Sequence, residues 1–174
     1  ILFSYIRLFF KQVRILFLNC FDMKQKIYKL AKIPRSVALV IDNYSNTKNQ
    51  KLIKTVDFIT SIPQVDYIAV YFNQESAPIS FESKKVQVFT AKENDAAFLG
   101  SMGSKKDLSE CYHPFPRRLD LAIIFSKYPQ LCNFFTWTLD LTILYFAGPS
   151  IDISPVTIYD AFSNYSKAEQ RCGK

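Results

Sequence analysis

Val37-Ala38-Leu39-Val40-Ile41-Asp42-Asn43 is a short apolar run, largely β-branched, that ends on two polar residues. No polar residue interrupts it at alternate positions, so neither face is set aside for water. That is the pattern of a strand covered on both faces, as in a parallel sheet. Downstream, Leu52, Ile53, Val56 and Ile59 recur at helical spacing, with Asn46 or Thr47 placed to cap and Pro63 to stop the helix. Tyr67-Ile68-Ala69-Val70-Tyr71-Phe72, Val86-Gln87-Val88-Phe89, Leu121-Ala122-Ile123-Ile124-Phe125 and Thr142-Ile143-Leu144-Tyr145-Phe146 read as further strands. Residues 134–139 are a second helical candidate, and residues 73–85 and 91–118 read as loops with room for a short helix. Strands alternating with helices predict an α/β layered domain around a mainly parallel sheet.

The 174 residues suffice for one domain with a real core plus an attached segment. At 49% hydrophobic and 16% aromatic, the composition excludes a disordered chain. The 16 Phe and 10 Tyr predict surfaces buried against something besides the domain itself. Cys20, Cys111, Cys132 and Cys172 are scattered, and with the single His113 they form no metal-binding spacing. Walker, nucleophile-elbow, zincin and dinucleotide-binding motifs are all missing from the sequence.

The net charge of +7 sits in one segment. Arg7, Lys11, Arg14, Lys24, Lys26, Lys29, Lys32 and Arg35 face only Asp22 within residues 1–35, and the remainder of the chain is balanced. Charges at 7, 11 and 14 interrupt the apolar residues 1–21, which makes them a poor membrane span. The same three charges share one helical face, and Leu2, Phe3, Ile6, Phe9, Phe10, Val13, Leu16 and Phe17 take much of the rest. Two readings fit: a helix lying in a membrane interface, or one packing on the domain or a partner. Basic residues interleaved with bulky aliphatics argue against nucleic acid. The expected organisation is therefore a basic amphipathic segment, residues 1–33, and a domain, residues 34–174. The chain begins on Ile1, so a native start further upstream is expected.

At the other end, Ile158, Ala161, Phe162, Tyr165 and Ala168 share a helical face, after which the sequence closes on Arg171-Cys172-Gly173-Lys174. By itself this reads as a helix end with a favourable cation and a glycine stop. The same residues also offer a guanidinium fork and adjacent backbone amides, which suit a phosphate.

The stretch 120–174 resembles the Nogo-B receptor family, the non-catalytic subunit of eukaryotic cis-prenyltransferase. That family ends on Arg-x-Gly, usually followed by one Lys, as Arg171-Cys172-Gly173-Lys174 does here. Glu169-Gln170 and the aromatic helix before them are similar too. Residues 33–42 and 66–72 extend the resemblance over most of the chain from residue 33. It implies the cis-prenyltransferase fold, the one of undecaprenyl diphosphate synthase.

In the catalytic relatives the strand matching residues 37–41 ends in Asp followed by Gly-Asn-Arg, which handles metal and diphosphate. Here Asp42 is followed by Asn43-Tyr44-Ser45. After the fourth strand those relatives carry Arg-x-Ser-Gly-x-x-Arg, a diphosphate clamp. Ile124 and Gln130 stand at the two arginine positions and Lys127 at the glycine, while Ser126, Asn133, Phe134 and Trp137 keep the pattern. The resemblance thus implies no catalytic residue and no metal ligand in this chain. It implies an accessory subunit of dehydrodolichyl diphosphate synthase, supporting cis-addition of isopentenyl diphosphate for dolichol synthesis and protein glycosylation. Mg²⁺ would be held by the catalytic partner subunit and the substrate diphosphate. Arg171, with the backbone amides of Cys172 and Gly173, would hold isopentenyl diphosphate across the interface. Phe134, Phe135, Trp137 and Tyr145 are the residues expected to pack in the core or at that interface. The implied location is the endoplasmic reticulum membrane, with the domain facing the cytosol. Two other readings stay open: a self-sufficient homodimeric prenyltransferase resting on Asp42, and a membrane receptor or scaffold.

Overall fold

The computed structural model describes residues 20–45, 49–96, 118–135, 139, 141–149 and 152–168. Five strands, β1 (Ser36–Ile41), β2 (Tyr67–Phe72), β3 (Val86–Thr90), β4 (Leu121–Phe125) and β5 (Ile143–Gly148), form one sheet in the order β3-β2-β1-β4-β5. Every pairing is parallel. The described helices include α1 (Cys20–Tyr28), α2 (Asn49–Thr60) and α3 (Pro155–Lys167), and residues 91–96 are helical as well. The fold is α/β with an all-parallel sheet flanked by helices.

β1 lies at the centre, and all six of its residues are buried. Alternate residues feed two cores. Val37, Leu39 and Ile41 join Ile68, Val70, Phe72, Leu121, Ile123 and Phe125 on the first face, where α1, α2 and α3 pack. Ala38 and Val40 join Tyr71, Phe89, Ala122 and Ile124 on the second. In register, Ala69, Ala38 and Ala122 form a row across three adjacent strands. Such a row of small side chains leaves depth above the sheet, and Phe134 and Phe135 belong to that same core. Right-handed crossover explains the division. The chain steps from β1 through α2 to β2 on the first face, then the strand order reverses to β4 and β5, and Phe134 and Phe135 between those two strands lie on the second face.

α3 starts three residues before the first apolar position read from sequence. Ser154 caps it, its hydroxyl accepting from Thr157 N, and Pro155 takes the opening turn. Ile158, Ala161, Phe162 and Tyr165 form its buried face. α1 packs beside it through Met23 and Ile27, one turn apart and both fully buried. After α1 the backbone N–H of Lys32 donates to Ser166 Oγ at 3.3 Å, and the Lys32 ammonium stands 4.5 Å from the Tyr165 ring centre.

Three sequence expectations need correction. Ile53 is 38% exposed, because Thr55 takes the inward position and bonds back to Lys51 O. Phe134 and Phe135 are not helical: Cys132 and Asn133 just before them adopt left-handed backbone (φ 53° and 56°), which breaks any helical run. The fifth strand runs two residues further than expected, to Gly148, past a register irregularity opposite Ile124 and Phe125. Gly148 has φ 93°, and a Cβ there would meet Asp152 Oδ2 at 3.0 Å. The Asn46 and Thr47 capping positions lie outside the described residues.

Candidate functional site

In an open α/β sheet, ligands bind beyond the carboxyl ends of the strands where the strand order reverses. Here that point lies between β1 and β4. Asp42 follows β1 and Ser126 follows β4, so the topology brings both to the crevice. Asn73, one residue past β2, arrives beside them, its backbone N–H donating to Ile41 O at 3.0 Å.

Asp42 is 8% exposed and its carboxylate is fully engaged. Asn73 Nδ2 donates to Oδ1 at 3.0 Å. Asn43 Nδ2, Ser126 Oγ and Gln130 Nε2 donate to Oδ2 at 3.1, 3.2 and 3.2 Å. Gln130 Nε2 also lies 3.3 Å from Ser126 Oγ. Asn43 reaches its place through left-handed backbone, φ 49°, which asparagine tolerates better than most residues. Every hydrogen-bond donor to Asp42 among the described residues is a neutral amide or hydroxyl. A cluster of this kind stabilises one carboxylate. It lacks the arginine forks that would cradle a diphosphate.

The loop after β4 is fastened across the second face of the sheet. Tyr71 OH donates to Cys132 O at 3.2 Å, and Phe135 N donates to Asn94 Oδ1 at 3.0 Å. Burial pushes the Tyr71 hydroxyl up to about 12, with smaller contributions from Asp95 and Cys132. Burial, and next the Asp42 charge, also raise the Cys132 thiol above its ordinary value. A thiol held protonated in this way is a weak nucleophile.

The sequence-predicted residues fall in different places. Phe134 and Phe135 are each 1% exposed and meet Tyr71 edge-to-face, with ring centres 5.2 and 6.0 Å apart. Their rings are thus covered within this chain. Tyr145 is half-buried and packs against the first-face core. Ile124 lies inside β4 with 1% exposure, buried in the second-face core. Gln130 is at the crevice, on Asp42. Trp137, Arg171, Cys172 and Gly173 lie outside the described residues, as does residues 1–19 of the basic segment. Among the described residues no group of His, Cys, Asp and Glu is placed to hold a metal, and no helix is long and apolar enough to cross a membrane.

Sequence reasoning missed the open side of β5. Leu144 is 38% exposed and Phe146 45%, on the second face in register with Ala122 and Ile124, and Leu141 nearby is 39% exposed. A parallel sheet is ordinarily covered on both faces. Residues 143–146, Ile-Leu-Tyr-Phe, are all apolar, so no alternation of polar and apolar residues marked Leu144 and Phe146 as the open side. What the sequence could not supply was that β5 is an edge strand.

A scan against protein-family models finds no match to this chain, and a search of curated proteins finds none either.

Proposed function

We propose that this chain is the accessory subunit of a heteromeric cis-prenyltransferase, with the cis-prenyltransferase fold and no active site of its own. The observation that carries the reading is the Asp42 cluster. The carboxylate stands where diphosphate and metal chemistry would be done, yet its donors are Asn43, Asn73, Ser126 and Gln130. Gln130 fills with a neutral amide the place at which the resemblance sets a clamping arginine. A site for two diphosphates needs several cationic or metal contacts, and each charge-assisted bond lost costs about 1.5–3 kcal/mol. The exposed Leu144 and Phe146 on the edge strand are consistent with a subunit that buries this face in an assembly.

In this reading a catalytic partner supplies the acid, the arginines and the hold on Mg²⁺ through the substrate diphosphate. This chain supplies the dimer face, a membrane-proximal basic segment and the C-terminal Arg171-Cys172-Gly173. The tail follows directly from α3, whose last turn is fixed by Lys32 through Ser166 and Tyr165. The complex would add isopentenyl diphosphate units with cis geometry at the cytosolic face of the endoplasmic reticulum, for dolichol synthesis and protein glycosylation. The testing experiment is incorporation of isopentenyl diphosphate by the chain alone, by a catalytic cis-prenyltransferase subunit alone, and by the two together. Activity that requires this chain supports the reading. Turnover by this chain alone refutes it.

A further inference from the structure

α3 runs back along the sheet. It begins beyond the carboxyl end of β5, where Asp152 Oδ2 lies 3.0 Å from the place a Cβ on Gly148 would take. It ends near the amino ends of β1 and β4. Burial first, and then the charge of Asp120 directly before β4, push the Tyr165 hydroxyl up to about 12. Arg35, directly before β1, is pinned to the same Asp120, its backbone N–H donating to Oδ2 at 2.7 Å. The C-terminal tail therefore leaves the domain at the edge opposite the Asp42 crevice.

Helix ends fray unless something holds them. Here one residue makes two contacts to the last turn of α3. The backbone N–H of Lys32 donates to Ser166 Oγ, and its ammonium stands over the Tyr165 ring. Lys32 is itself three residues before the pinned Arg35, so the last turn is tied to the root of β1. Beyond it the backbone is extended: Ala168 has φ −74° and ψ 124°, with its N–H shared between Asn164 O and Tyr165 O. No left-handed residue turns the chain back at that point, so the last turn hands its direction to the tail. Arg171 follows Ala168 by three residues, at most about 11 Å of chain. Both Lys32 contacts are modest, and Phe162 and Tyr165 are buried in the core by their own packing, so the domain needs neither contact to fold. Building on the accessory-subunit reading above, we propose that Lys32 is a positioning residue: with Ser166 and Tyr165 it sets the angle at which the tail leaves α3, and so aims Arg171 at the diphosphate in the partner's site. Misplacement by about 1 Å near a reacting group can cost up to about a hundredfold in rate, so a weak contact at the root of the tail has a large effect at its end.

The test uses the whole chain in complex with a catalytic cis-prenyltransferase subunit, varying isopentenyl diphosphate and an allylic primer separately. Lys32→Gln removes the cation and Ser166→Ala removes the acceptor. Together they should raise KM for isopentenyl diphosphate by about five- to tenfold, with KM for the primer unchanged and Tm within about 3 °C of the parent. Lys32→Arg, which keeps a cation over the ring, should behave as the parent, and so should Lys29→Gln, which removes an exposed lysine from the same segment. In an Arg171→Ala background the Lys32 and Ser166 pair should change KM by less than about twofold. Independently of turnover, the Ala168 amide of the isolated chain should exchange with deuterium roughly threefold or more faster in that pair. An unchanged KM, an equal loss from Lys29→Gln, a penalty that adds in full to Arg171→Ala, or unchanged exchange at Ala168 would overturn the positioning role and leave the accessory-subunit reading intact. A partner indifferent to this chain, or to Arg171→Ala, would overturn that reading and the positioning role with it.

Discussion

Asp42→Asn separates a structural carboxylate from a functional one. The substitution keeps the shape and removes the charge. If the amide oxygen takes the Oδ2 position, it keeps the three donors Asn43, Ser126 and Gln130, but the new NH₂ then faces the Asn73 amide that donated to Oδ1. The opposite orientation is worse, since it sets three donors against a donor. In the better case one charge-assisted bond is lost, about 1.5 kcal/mol or more, and three weaken to neutral strength at about 0.5 kcal/mol each. Asn43 and Gln130 are exposed, so water recovers part of this. A net loss of about 2 kcal/mol follows, which for a chain of this size lowers Tm by roughly 4–8 °C. Urea and thermal denaturation measure it. Catalytic groups commonly stand at a cost to stability, so replacing one often leaves a protein unchanged or more stable. An Asp42→Asn variant as stable as the parent, or more so, would refute the structural role and revive an active site here.

Other outcomes follow from the same geometry. Phe134→Ala should destabilise the isolated chain by about 3–5 kcal/mol, since the ring is fully buried, whereas Leu144→Asp with Phe146→Asp should leave its denaturation curve within about 1 kcal/mol of the parent and abolish co-purification with the catalytic partner. Arg171→Ala should leave Tm and complex formation unchanged and lower kcat/KM of the heteromer by about ten- to a hundredfold, measured by isopentenyl diphosphate incorporation. Tyr71 and Tyr165 have hydroxyls raised to about 12 in the fold, by burial first. The folded state therefore favours the neutral form. Its contribution is complete below about pH 10, the unfolded value, and is lost as pH rises towards 12. Tyr71→Phe should flatten part of that alkaline decline in a denaturation series, at the expense of the bond to Cys132 O at neutral pH.

Strand composition carried most of the fold. β1, β2 and β4 are continuous apolar runs because both faces are covered, and such runs are readable wherever they occur. The strand order was not readable, because nothing in residues 143–146 records which neighbour they pair with. The status of Leu144 and Phe146 therefore stayed hidden. Residues 134 and 135 show a second limit. Aromatic spacing favoured a helix, and two successive left-handed residues, Cys132 and Asn133, overrode it without a glycine to signal the turn. At the site, Asp42 and Gln130 could be singled out as positions, Asp42 from its strand end and Gln130 from the resemblance. Their bond spans 88 residues of sequence, and local pattern contains no trace of it.

The most direct measurement of the central claim is incorporation of labelled isopentenyl diphosphate, with Mg²⁺ and an allylic diphosphate primer, by purified chain with and without a catalytic cis-prenyltransferase subunit. The account predicts no product from this chain alone and a large gain over the partner alone when the two are combined. Product from this chain alone, or a partner indifferent to its presence, would contradict it.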